Sequence, residues 1–122
     1  MCLIVSKVHE STLEVEHVFY KIVTRKYKSP CHCMWRKHWV SGAELEAEGD
    51  VEWSHDDERI YINGGVLHMF KSLAAAMSHW LYFEVSTQRI MACRVEDKDI
   101  VAWGIVNDVC VRRCTVLEEV VL

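Results

Sequence analysis

A histidine at position 68 stands among apolar residues, after two glycines and just before a serine, in the stretch INGGVLHMFKS that covers residues 62–72. Imidazole titrates near neutrality, so His68 could act as a general base if a partner oriented it. Gly64 and Gly65 would let a ligand approach the backbone closely. The structural alternative is that VLHMF enters the core and His68 hydrogen-bonds a backbone carbonyl. A second group lies in PCHCMWRKH, residues 30–38. Thiolate and imidazole together suit zinc. Such a site normally needs two separated close pairs, and the only close pair besides Cys31 and Cys33 is Cys110 and Cys114. On strands, the members of each pair would share a face. No metal is expected, and Cys31, Cys33, Cys110 and Cys114 form the alternative ligand set. A cysteine nucleophile with His38 as its base has less support, since nothing nearby lowers a thiol pKa.

Basic and aromatic residues interleave from Tyr27 through Trp35, Arg36, Lys37, His38 and Trp39. Single-strand nucleic-acid platforms are built this way, with cations tracking phosphates and rings stacking on bases. The same residues could hold a nucleotide or an acidic protein patch. A net charge of −4 and the acidic stretch over residues 44–58 argue against nucleic acid. Gly64, Gly65 and His68, with Trp35, Arg36, Lys37, His38 and Trp39, are therefore the candidate ligand- or partner-contacting residues. Glu96, Asp97, Lys98 and Asp99 read as a solvated turn. The chain has no glycine-rich phosphate loop, nucleophile elbow or HExxH motif. No catalytic residue and no cofactor are assigned.

These residues must be positioned by one domain, since 122 residues suit one and hardly two. The chain is 51% hydrophobic, enough for one core and against disorder. No run of about 18 apolar residues appears, so no membrane span is expected. MCLIVSK is too short for the apolar core of a signal peptide. The expectation is a cytoplasmic protein with reduced thiols. Alternation predicts a strand over 17–25, with Phe19, Lys21 and Val23 on one face and Val18, Tyr20 and Ile22 on the other. Further strands are expected at RIYI, 89–96, 99–104 and 108–122, with short ones near 31–35 and in SGAELEAEG. Residues 1–16 read as an arm or an edge strand. Ser72 can cap a helix over 72–83, whose Leu73, Ala76, Met77 and Trp80 form an apolar stripe. The fold class is α+β, a mainly antiparallel sheet of about six strands with one main helix packed on it. If the apolar final strand TVLEEVVL lies at an edge, a second copy could cover it and form a homo-oligomer.

The order of MCL, FYKIV, YKSP, W-x-x-G at 39–42, GGVLHMFKSLAAA, RIMACRVED and CTVLEEVV resembles a family of small uncharacterised proteins from phages, prophages and gut-bacterial mobile elements. That family combines a YK strand with a G-F-H-x-F element just before a short helix. The resemblance implies a compact α+β domain and brings no established activity. This chain carries one extra residue between Gly65 and His68, so a shared role for His68 does not carry over. Small size, segregated charge, five tryptophans and no catalytic signature point to a non-enzymatic binding protein whose partner is a host or self protein. The resemblance adds a bacterial host cytoplasm and, as the most concrete form, an inhibitor of a host defence system. The alternatives are a nucleotide-binding or sequestering protein and a small transferase-like enzyme.

Overall fold

The computed structural model describes residues 3–11, 14–29, 37–80 and 88–121. The chain forms β1 (Leu3–Val8), β2 (Glu16–Thr24), β3 (Glu44–Glu46), β4 (Glu52–His55), β5 (Ile60–Gly64), β6 (Leu67–Phe70), α1 (Leu73–Trp80), β7 (Gln88–Glu96), β8 (Ile100–Gly104), β9 (Asp108–Val111) and β10 (Arg113–Glu119). Every strand pairing is antiparallel. The order across the sheet is β3-β10-β7-β2-β6-β9-β8-β1-β5-β4. The expectation of six strands carrying a main helix is thus corrected. Among the described residues the protein is a ten-stranded, largely all-β domain with one α-helix, of 8 residues, and a short 3-10 turn at Asp97–Asp99.

Each difference has a local cause. The run 108–122 was read as one strand, but it breaks at Arg112 into β9 and β10. The acidic stretch hides β4, whose residues are all exposed and so show no apolar alternation, whereas the short strand expected in SGAELEAEG is β3. Asn63 and Gly64 lie within β5, and the bend that follows at Gly65 and Val66 does not close a hairpin. β5 pairs with β1 and β4, whereas β6 pairs with β2 and β9. The N-terminal segment is not an arm, since β1 lies inside the sheet between β8 and β5. The last strand is not an edge either, because β10 is flanked by β7 and, over Arg113–Thr115, by β3.

The longest pairing joins β2 to β7 in unbroken register from Glu16↔Glu96 to Thr24↔Gln88. β9 and β10 are separated by Arg112 alone, yet they stand four places apart in the sheet. In a flat sheet four places span about 19 Å. Two Cα steps reach at most about 7 Å. The sheet must therefore curl until the end of β9 meets the start of β10. Arg112 holds that corner. Its N–H donates to the Asp99 carbonyl at 2.8 Å, and its own carbonyl accepts from Ala47 N–H at 2.8 Å. Its guanidinium donates to the carbonyls of Gly65 and Ala47.

The main core gathers alternate residues of the central strands. These include Phe19 and Val23, Leu67 and Met69, Met91 and Cys93, Val109 and Val111, and Cys114 and Val116. Two smaller apolar patches lie on the opposite face. Ala76 of α1 packs on Ile22, Phe70 and Ile90. Leu3 and Ile62 pack on Ala102 and Cys110. Ser72 caps α1 as expected, its Oγ accepting from Ala75 N–H at 3.1 Å. Among the described side chains of the helix, Ala76 is buried, whereas Met77, expected in the stripe, is exposed. The expected helical residues 81–83 and the short strand near 31–35 lie outside the described residues.

Candidate functional site

β6 sends Leu67 and Met69 into the main core and turns His68 and Phe70 to the other face. There His68 lies between the patch under α1 and the patch under β1 and β5. It is paired in register with Cys110, while Phe70 is paired with Asp108. This places the His68 ring diagonally across from Asp108, with His68 Nε2 2.8 Å from Asp108 Oδ2. The His68 side chain is 20% exposed and that of Asp108 7%. Burial pushes the His68 pKa below its ordinary value, and the Lys21 ammonium pushes the same way, against the hydrogen bond that His68 makes to the Asp108 carboxylate. A neutral imidazole facing a carboxylate must carry its proton on Nε2, so the lone pair is left on Nδ1. The arrangement is an oriented base with a carboxylate behind it. The structural alternative drawn from sequence is corrected in detail. His68 bonds a carboxylate through its ring, while its own carbonyl accepts from Lys21 Nζ at 2.9 Å.

A depressed histidine pKa has a signed consequence. Between the unfolded value near 6.5 and the lower folded value, the unfolded chain binds more protons, so stability falls as pH drops through this window. Urea unfolding at several pH values from about 7.5 to 5 should show that fall. The His68→Asn variant should show a shallower one. Equal slopes in the two proteins would refute a buried neutral His68.

Gly65 adopts φ 74° and packs against the chain at Asp50 and Val51, where a Cβ would overlap the Asp50 carbonyl. A Cβ at Gly64 would meet the Glu52 carboxylate at 2.9 Å. Both glycines therefore serve close packing within the chain. The expected basic aromatic platform is divided. Trp39 is fully buried in the main core, with Lys21 Nζ 5.2 Å from its ring centroid. Lys37 is partly buried, its ammonium 3.8 Å from the exposed Glu48 carboxylate. His38 is exposed and bridges Lys28. Trp35, Arg36, Cys31 and Cys33 lie outside the described residues.

Cys110 and Cys114 do not share a face. Cys110 belongs to the outer patch and Cys114 to the main core, because the corner at Arg112 lies between them. Among the described residues no group of three or more His, Cys, Asp or Glu could hold a metal ion.

Two polar centres escaped the sequence reading. Lys21 is buried, although the alternation of β2 had placed it on a face with Phe19 and Val23. A lysine within an apolar face was the available signal. Asp97 was read as part of a solvated turn and is also buried. It receives Ser11 Oγ at 3.1 Å on Oδ2, and its Oδ1 lies 2.8 Å from His17 Nε2 and 3.1 Å from His9 Nε2. Trp103 Nε1–H donates to His9 Nδ1 at 3.1 Å, which keeps the His9 proton on Nε2, toward Asp97. Hydrogen bonding from His17, and then from His9 and Ser11, holds the Asp97 carboxyl below its ordinary range against burial. This cluster ties the segment after β1, the start of β2 and the end of β7 together.

The described residues thus define a small domain made of one curled antiparallel sheet, with a carboxylate–histidine pair on its outer face. No protein-family model, no curated protein and no solved structure matches the chain. Among the described residues no helix is long and apolar enough to cross a membrane.

Proposed function

We propose that the protein is a non-enzymatic binding protein that takes up a basic, extended segment of another protein along β4. The observation that carries this reading is the state of that strand. Every residue of β4 is exposed, and among the described residues β4 ends the sheet. Such an edge offers unpaired backbone groups to an incoming strand, and this one has neither proline nor lysine to blunt it. Trp53 is 46% exposed and Ile60, on the paired strand, 45%. Exposed tryptophan is a frequent interface anchor.

The charge around the edge selects the occupant. Six carboxylates and one arginine lie between Glu48 and Arg59, all exposed. Two copies of this edge would repel each other, so the fitting partner is basic and different. The likeness to small phage and mobile-element proteins supports a host protein as that partner. An alternating Lys–Val peptide of about eight residues serves as the probe. Its binding should shift the amide resonances of β4. Trp53→Ala, or Asp57→Lys with Glu58→Lys, should weaken it about ten-fold, and salt should weaken it further. Absence of binding, or shifts confined to other strands, would refute the reading. So would a wild-type dimer in light scattering that Trp53→Ala dissolves, because the edge would then belong to a second copy.

A further inference from the structure

We infer that the cleft in front of Asp108 binds a nucleotide, its base donating an N–H to Asp108 and its phosphate held by Lys7 and Lys71. The cleft, of about 510 Å³, lies where β8 ends and β9 begins, and its lining includes Ser6, Lys7, Lys71, Trp103, Asn107 and Asp108. It is distinct from the β4 edge, and its occupancy does not depend on that reading.

Asp108 is the first reason. Its residue exposure is 5%, and Oδ2 is taken by His68. Oδ1 is buried and has no hydrogen-bond partner among the described residues. A buried carboxylate oxygen without a donor is costly, and native proteins leave few of them. The backbone is shaped to admit this one, since a Cβ on Gly104 would overlap Oδ1. What the site lacks is a donor.

The cations are the second reason. Lys7 and Lys71 are exposed at the cleft, and among the described residues neither has a carboxylate partner within 4.0 Å. Lys71 Nζ lies 5.5 Å from the Trp103 ring centroid, so that ammonium is held over an aromatic surface at the cleft wall. Lys71 N–H also donates to the carbonyl of Asn107 at 2.8 Å, fixing the exit of β6 against the cleft lip. The Trp103 ring is itself anchored through Nε1 to His9.

A ligand that satisfies all three features needs an anion, an N–H donor and a flat ring. Inorganic phosphate would meet the lysines but leave Asp108 unanswered and repelled. A nucleoside would meet Asp108 and Trp103 but leave both ammonium groups idle. A nucleotide has all three parts, and aromatic side chains accept any base face.

The test is calorimetric titration of the full chain with each of the four common nucleoside monophosphates, with guanosine and adenosine, and with inorganic phosphate. The expected result is that at least one nucleotide binds about ten-fold more tightly than its nucleoside or phosphate alone. Lys7→Gln with Lys71→Gln, both at exposed positions, should erase that advantage and leave nucleoside binding unchanged. Binding should also move the Trp103 indole N–H resonance. Failure of all four nucleotides to bind at millimolar concentration would overturn the inference. Phosphate binding as tightly as any nucleotide would overturn it too, leaving only an anion site. Unchanged nucleotide affinity in the double lysine variant would place the ligand elsewhere.

Discussion

Alanine at position 65 should cost the fold at least about 3 kcal/mol. A residue with a Cβ at φ 74° is strained by about 1–2 kcal/mol. The new methyl group would also overlap the Asp50 carbonyl, which is backbone and cannot rotate aside. Relief requires the β5–β6 link to move, and that link carries the Gly65 carbonyl bound by Arg112. A charge-assisted bond of this kind contributes about 1.5–3 kcal/mol, and its partner sits at the corner that closes the sheet. Gly64→Ala is the control. Its Cβ would meet the end of the flexible Glu52 side chain, at 2.9 Å, so it should cost far less. Urea midpoints of the two variants measure the difference. Similar losses in both would contradict this account. A well-folded Gly65→Ala protein would return Gly65 to the role expected from sequence, a place where a ligand meets the backbone.

Trp39→Ala should be comparably severe. The ring is fully buried among the central strands, and truncating a buried Trp costs about 3–5 kcal/mol. The variant also strips the Lys21 ammonium of the aromatic face 5.2 Å away. For a chain of this size the melting temperature should fall by about 10–20 °C. Trp39→Phe should retain most of the stability, since it keeps a ring and Trp39 Nε1 has no hydrogen-bond partner among the described residues. If thermal unfolding found Trp39→Ala as stable as the parent, Trp39 would be a surface platform residue, as the stretch around it suggested.

Local features were legible in the sequence. Alternation in HVFYKIVTR placed β2 and its two faces, including the side on which Lys21 turned out to be buried. Ser72 was readable as the helix cap, the β-rich runs 89–96 and 99–104 as strands, and a short strand was readable within the acidic stretch at β3. These are properties of a few neighbouring residues, and the physics that sets them acts over one turn or one pleat.

The candidate site was not legible in the same way. His68 and Asp108 are 40 residues apart, and Asp97 and His17 are 80 apart. Nothing in the local pattern says which carboxylate a given histidine will meet. That was decided by strand partners, above all by β9 lying beside β6 and by the corner at Arg112. The corner also put Cys110 and Cys114 on opposite faces, where an unbroken strand would have kept them together. By itself, then, the sequence determined its best-defined strands, the start of its helix and an acidic segment at its surface, while the α+β class of about six strands read from it gave way to a ten-stranded, largely all-β sheet among the described residues. Only the tertiary structure decided which polar groups were taken out of water, because burial depends on which distant strands the curled sheet brings together.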